Sequence, residues 1–299
     1  MVDSNDRYWV RLDRDVITVG GPEAEPFLQG QLSQDVTSLP AGGSAWSWLL
    51  APTGKVDALV RVSRGAGGVL VLDTDGGWGE AVLARLTRFK LRTKADLEQV
   101  PAAVIGLRGP GWDLVEAGVG ASIVAVPPWP GLAGADVIHL DGQGAGFQPP
   151  AGVPEMTEAE YESVRISAGQ PRMGAELSER TIPGETGLIP FTVSFTKGCY
   201  TGQELVARID SRGGNVARHL RRLIFGAGTA AGTELYEADP AEGDRPVGTV
   251  TSVAADGPGR WVGLGYVRRG IEPPCTLSAG PGGPAAPAGA AVEMEALPW

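Results

Sequence analysis

The sequence predicts an α+β protein of two or three domains that closes in a small antiparallel β-barrel, and three observations lead there. The chain has 299 residues, more than a single hydrophobic core comfortably supports. Strand-like and helix-like stretches alternate through residues 16–210 without the G-x-G-x-x-G or phosphate-loop spacing of a nucleotide enzyme. After residue 215 the pattern changes to short strands separated by Gly/Pro turns, the signature of a barrel.

In chain order, Val16 to Val19 read as a strand, and Gly20-Gly21-Pro22 turn into a helix with Pro22 near its first position. Ala24, Phe27, Leu28 and Leu32 give that helix one apolar face. Gln31, Ser33, Gln34 and Asp35 at its end read either as ligand-facing or as an ordinary polar terminus. Ala45 to Ala51 alternate, with Trp46, Trp48 and Leu50 on one face, and Pro52-Thr53-Gly54 turn the chain into Lys55 to Ser63, forming a hairpin. A strand over Gly68 to Asp73 precedes a helix opened by Gly76-Gly77, with Trp78, Val82, Leu86 and Phe89 on its apolar side. Arg85, Arg88, Lys90, Arg92 and Lys94 make either a solvated helix face or a seat for an anionic tail.

Strands follow at Ala102 to Leu107, Ser122 to Val126 and Asp136 to Leu140. Thr157 and Glu160 have capping-box spacing ahead of a helix with Tyr161, Val164 and Ala168 on its apolar stripe, ended by Gly169 and Pro171. Met173 to Pro190 are turn-rich, and Pro183-Gly184-Glu185 read as a surface loop carrying a carboxylate. Ser211 to Asn215 form a joint, followed by strands at Val216 to Gly226, Thr233 to Tyr236, Val247 to Val253 and Trp261 to Val267. The first of these is studded with Arg218, His219, Arg221 and Arg222, and Gly280 to Ala291 read as a low-complexity, mobile stretch.

Composition narrows the function. A net charge of −10 argues against a surface built to neutralise nucleic-acid phosphates. No apolar run is long enough to span a membrane and residues 1–6 carry no signal-peptide core, so a soluble cytoplasmic protein is expected. Two cysteines and two histidines, without C-x-x-C or H-E-x-x-H spacing, predict no resident metal site.

The most informative stretch is Lys197-Gly198-Cys199-Tyr200-Thr201-Gly202-Gln203-Glu204. Thr201 and Glu204 have capping-box spacing, which predicts a helix starting at Thr201 with Cys199 just ahead of its N-terminus. The helix dipole and the Lys197 ammonium would then favour a thiolate. The competing reading is a small buried hydrophobe in a tight Gly-flanked turn.

The run Ser194 to Glu204 resembles the signature of the YgfZ family of folate-binding proteins, relatives of the glycine-cleavage T-protein, an aminomethyltransferase. Phe27 to Val36 resemble that family's first helix, Arg165 to Gly169 the helix end before its central loop, and Gly248 to Ser252 a strand of its terminal barrel. The resemblance implies a T-protein-like ring of three domains around a tetrahydrofolate pocket. These are residues 1–44 with 144–214, residues 45–143, and a barrel domain of residues 215–299. It further implies a role in iron–sulfur cluster assembly or repair, with iron–sulfur proteins or their assembly factors as partners. Cys199 is then the functional thiol, with Lys197 and Asp57 beside it in the chemistry. Ser167, Gln203, Glu204, Gln31 and Arg218 are the candidates for binding tetrahydrofolate or a related folate.

Two departures bear on activity. Where the T-protein has adjacent aspartates in its first hairpin, this chain has Asp57-Ala58, and where relatives place a pterin-binding glutamate it has Ser167. A hydroxyl cannot accept the paired hydrogen bonds of a carboxylate, a loss of about 2 kcal/mol or roughly thirtyfold in affinity. The resemblance therefore implies an accessory protein. The alternatives are a folate-dependent aminomethyltransferase-like enzyme using Asp57, and a ligand-free interaction scaffold of the same fold.

Overall fold

The computed structural model describes residues 7–112, 123–125, 128–140, 147–149, 151–226, 229–238, 245–280 and 290–299. Consecutive strands near the start of the chain enter different sheets. β1 (Tyr8–Leu12) and β2 (Arg14–Gly20) are separated only by Asp13, too short a link for a hairpin. β2 joins β3 (Ser44–Leu50), β4 (Val56–Arg64), β5 (Leu70–Asp75) and β6 (Asp96–Val100) in an antiparallel sheet of order β3-β4-β5-β2-β6. β1 joins β7 (Ala103–Arg108), β8 (Ile123–Ala125), β9 (Gly134–His139) and β10 (Glu155–Met156) in a mixed sheet, order β10-β1-β7-β9-β8, in which β1 and β10 run parallel. The division expected at 44/45 thus cuts across both sheets: Val16 pairs with Asp73 and Val100, and Trp9 with Leu107.

The hairpin β3–β4 is buried on both faces, so Ser47 and Leu49 are as enclosed as the alternating Trp48 and Leu50. One face meets the core built around α1 (Ala24–Gln31) and α2 (Gly79–Lys90). On its other side the sheet packs on the mixed sheet, Val16 and Val71 against Val104, Ile123 and Ile138. Charged groups also bridge this seam: Arg61, 1% exposed, donates to Asp73 of β5 at 2.9 and 3.1 Å and to Asp136 of β9 at 2.6 Å. Arg108 donates to Asp136 at 2.8 Å and to the Tyr161 hydroxyl at 2.8 Å.

The third body is a closed antiparallel barrel of β11 (Arg218–Phe225), β12 (Glu234–Glu237), β13 (Gly248–Ala255), β14 (Trp261–Arg268), β15 (Cys275–Ala279) and β16 (Ala290–Glu295). α3 (Glu158–Ser167) packs against β13 and β14, and its Thr157/Glu160 capping box forms with bonds of 2.8 and 3.2 Å. Glu176, buried in the turn-rich stretch after α3, accepts from the Thr251 and Ser252 hydroxyls at 2.7 and 2.5 Å and so ties the barrel to that stretch.

The structure corrects the reading of Pro183-Gly184-Glu185. These residues form a 3-10 turn in which Pro183 and Glu185 are buried, because the Glu185 carboxylate faces Arg218 of the barrel. The expected mobile stretch lies outside the described residues over 281–289, and Ala290 and Ala291 belong to β16. Among the described residues no helix is long and apolar enough to cross a membrane, and no cluster of His, Cys, Asp and Glu is arranged to hold a metal ion.

Candidate functional site

The carboxyl end of α1 organises the site. A helix ends with carbonyls that have no partner inside it, and here a lysine from far along the chain supplies one. Lys197 Nζ donates to the carbonyls of Gln29, Leu32 and Gln34 at 2.6, 2.6 and 3.0 Å. Three acceptors use all three ammonium protons, and the cation sits where the helix dipole favours it. Its charge also lies 5.1 Å from the centre of the Tyr200 ring. On either side of Lys197 the chain is pinned to the same segment: Ser194 N donates to Ser33 O at 3.0 Å and Thr201 N to Gly30 O at 3.1 Å. Residues 194–201 therefore form a strap across the end of α1, from which Phe195 and Cys199 point outward, both exposed.

Burial pushes the Lys197 ammonium down to about 8 from its ordinary 10.5, with Asp35 opposing. Because the folded value lies below the unfolded one, the native state releases this proton first. Between about pH 8 and 10.5 the unfolded state holds more protons, and the Lys197 contribution to stability rises with pH; below pH 8 it is flat. Urea midpoints at pH 7.5 and pH 10 are expected to change more favourably with pH in the wild type than in Lys197→Met, the difference isolating the lysine from the buried tyrosines, whose contributions fall as pH rises.

The helix after the motif does not begin at Thr201. After the short α4 (Ile189–Thr192), α5 spans Gln203–Asp210, its N-cap is Gly202 with φ 82°, and no side chain caps it. The bend has a packing cause, since a Cβ on Gly202 would lie 2.5 Å from Ala51 O and 2.8 Å from Leu50 Cβ in the β3–β4 hairpin. Only glycine adopts that backbone without strain at such close approach. Gln203 instead closes the turn, its side-chain carbonyl accepting from Tyr200 N at 3.1 Å. Cys199 thus lies upstream of a left-handed bend, outside the first helical turn, and Lys197 spends its protons on carbonyls. Neither aid expected for a thiolate is arranged as the sequence suggested; accessibility distinguishes Cys199. Glu204 is exposed in the first turn of α5, where its charge complements the helix dipole.

Two other predicted residues meet through a third. Arg85 of α2 donates to Asp57 at 2.8 Å, to the Gln31 side-chain carbonyl at 3.1 Å and to Leu50 O at 2.8 Å. Asp57 is therefore engaged in an ion pair. The remaining two lie at the barrel: Arg218 pairs with Glu185 at 3.2 Å and stacks 4.1 Å from the Tyr266 ring, while the Ser167 carbonyl accepts from Arg222 at 3.5 Å. Arg221 and Arg222 also have carboxylate partners, Glu272 and Glu295.

Sequence reasoning missed an aromatic slot next to Ser167. Trp129 donates to Ala168 O at 3.1 Å and meets Trp46 edge-on at 4.9 Å. Trp299 meets Trp129 at 5.9 Å and Phe191 at 6.1 Å, both edge-on. Gly169 and Gly187, with φ of 66° and 76°, leave the facing wall without side chains. Beside the slot lies a cleft of about 310 Å3 whose lining includes Tyr8, Arg108, Leu132, Ser167 and Pro298. Isolated tryptophans and glycines carry no periodic signal, so only the tertiary fold brings them together.

No family model matches the chain. It is 27% identical over 225 residues to the tRNA-modifying protein YgfZ of Vibrio atlanticus (strain LGP32), spanning 72% of this chain and 68% of that protein. It is 29% identical over 272 residues to the tRNA-modifying protein YgfZ of Serratia proteamaculans (strain 568), spanning 81% and 79%. Among solved structures, the glycine cleavage system aminomethyltransferase T from Bartonella henselae superimposes over 98% of this chain and 86% of that one, with a TM-score of 0.79 at 20% identity. At that identity the likeness speaks to fold alone. The chain is thus similar in sequence to the YgfZ proteins and is built on the fold of the glycine-cleavage T-protein.

Proposed function

We propose that the protein is a tetrahydrofolate-binding accessory factor that supports iron–sulfur cluster assembly or repair in partner proteins through the Cys199 thiol. The observation that carries this reading is an exposed cysteine on a strap fixed at both ends to the end of α1. A thiol presented outward on a rigid seat suits transient contact with a partner's cluster or cysteine. A cluster held by cysteines alone takes four thiolates, and the chain has two cysteines, the other half-buried in β15. The cluster is accordingly cargo and its remaining ligands belong to the partner.

The residues beside Ser167 fit a planar ring: Trp129 and Phe191 offer aromatic walls and Gly169 one without a side chain, and the Trp299 ring itself occupies the space between them, while Ser167 stands where the resemblance places the relatives' carboxylate. When bound, tetrahydrofolate supplies a reduced pterin and carries one-carbon units. Pairing of Asp57 with Arg85 takes the hairpin's carboxylate out of the role of a free base, which favours the accessory reading over aminomethyl transfer. The relatives' name, tRNA-modifying protein, is accommodated by a partner that is itself an iron–sulfur enzyme acting on tRNA. Such an enzyme meets the phosphates with its own surface, and an accessory chain of charge −10 need not touch RNA.

In cells lacking the protein, Cys199→Ser is expected to fail to restore iron–sulfur enzyme activities that Cys275→Ser restores, with both variants folding as the wild type does. Full restoration by Cys199→Ser overturns the role of the thiol. In the purified protein iodoacetamide is expected to alkylate Cys199 at least about tenfold faster than Cys275 at neutral pH, since burial pushes the Cys275 thiol up and shields it. Saturable calorimetric binding of 5-formyltetrahydrofolate is expected; its absence with the partner interaction intact selects an interaction scaffold instead.

A further inference from the structure

After β16 the chain leaves the barrel and crosses back over the end of α3. Leu297 packs with Ile166 and the barrel residues Leu220, Val262 and Leu264. Pro298 lines the cleft that Ser167 also lines. Trp299 enters the aromatic slot, half-buried against the central core beside Trp129 and Phe191. The contact with the glycine wall is tight: a Cβ on Gly169 would collide with the Trp299 ring, and one on Gly187 would lie 3.7 Å from Trp299 Nε1.

This segment differs from an ordinary core element. Past Glu295 it belongs to no strand or helix, and Ala296 and Pro298 are exposed on either side of Leu297. At its base stands an ion pair between Glu295 and Arg222, the same arginine that reaches the Ser167 carbonyl. A flat ring is thus held by aromatic edges and a glycine wall, on a short segment without secondary structure that is anchored by Leu297 and by the Glu295–Arg222 pair. We infer that this slot is a binding site for a planar heteroaromatic ring and that Trp299 is its built-in occupant, a plug that a ligand must displace.

The identification of that ring as the pterin of a folate rests on the function proposed above; the displacement does not. A ligand competing with a tethered occupant binds with its intrinsic affinity divided by one over the fraction of molecules whose slot is open, so its apparent dissociation constant is the intrinsic one over that fraction. A plug seated in 90–99% of molecules, taken as an order-of-magnitude range, weakens binding roughly ten- to a hundredfold.

The test compares wild type, Trp299→Ala and Glu295→Gln by calorimetric titration with 5-formyltetrahydrofolate and, separately, with pterin-6-carboxylate. Trp299→Ala is expected to bind both probes roughly ten- to a hundredfold more tightly than wild type. Glu295→Gln keeps the slot and its tryptophan but weakens the tie, and is expected to gain about threefold. Equal affinity of wild type and Trp299→Ala for every probe that binds overturns the inference. Should 5-formyltetrahydrofolate bind neither protein, the folate reading fails, and pterin-6-carboxylate then decides the plug: binding to Trp299→Ala but not to wild type upholds it, and binding to neither overturns it. Should Trp299→Ala not fold, Glu295→Gln decides, a gain upholding the plug and an unchanged affinity overturning it.

Discussion

Arg61→Ala is expected to destabilise the protein by about 3–5 kcal/mol, the cost of breaking a buried ion pair from one side. Arg61 is 1% exposed and its guanidinium faces two carboxylates, Asp73 in its own sheet and Asp136 in the other. Their charges hold it protonated against the penalty of burial. Removing the guanidinium strands two buried carboxylates with one cation each, Arg14 for Asp73 and Arg108 for Asp136. It also removes a cation lying 5.2 Å from the centre of the Trp46 ring. Arg61→Lys keeps the charge but loses the two-pronged grip on Asp73, and should fall between alanine and wild type. Equilibrium denaturation reads the effect, and a loss below about 1 kcal/mol for the alanine variant would show that the seam between the sheets is carried by its apolar residues alone.

The second large effect is expected from Gly202→Ala, at about 2–4 kcal/mol, and it should reach the thiol as well. The substitution places a Cβ at a φ of 82° against the backbone of Ala51, a rigid neighbour in the hairpin turn. Gly54 on the opposing side is equally constrained, a Cβ there colliding with Leu205 of α5. Neither backbone can withdraw cheaply, so strain and the left-handed penalty add. The expected signature is lower stability together with altered Cys199 alkylation. Gly198→Ala, where a Cβ meets nothing within 4 Å, is the control expected to stay within about 0.5 kcal/mol of wild type. An unperturbed Gly202→Ala variant would mean that the hairpin and the motif are not in the contact described.

How much of this was legible in the sequence depended on whether the signal was local. Thr157 and Glu160 have the same spacing as Thr201 and Glu204. The first pair forms its capping box; the second does not, because Gly202 is forced left-handed by a hairpin distant in sequence. Four of the six barrel strands are readable from short alternating runs between turns, while β1, β15 and β16 are not, β16 lying behind a Gly/Pro/Ala-rich stretch. Pairing between strands distant in sequence, such as Val16 with Val100, leaves no mark on composition. At the site, Lys197 and Cys199 stood out by their motif, but the seat of Lys197 on α1 and the link from Asp57 through Arg85 to Gln31 join residues far apart in the chain. The burial of Glu185 is not legible locally for the same reason, since its partner Arg218 comes from the barrel.

The seat of Lys197 also has a mechanical meaning. Whatever grips the Cys199 sulfur pulls on a short span whose two ends and middle are fastened to the end of α1, through Ser33, Gly30 and the ammonium. Tension applied there does not dissipate in a slack loop; it loads the helix, and from Gln31 it passes through Arg85 to Asp57 and the hairpin. On the function proposed above, a partner that binds or releases the thiol would work against the stiffness of α1 and the hairpin rather than of the strap alone.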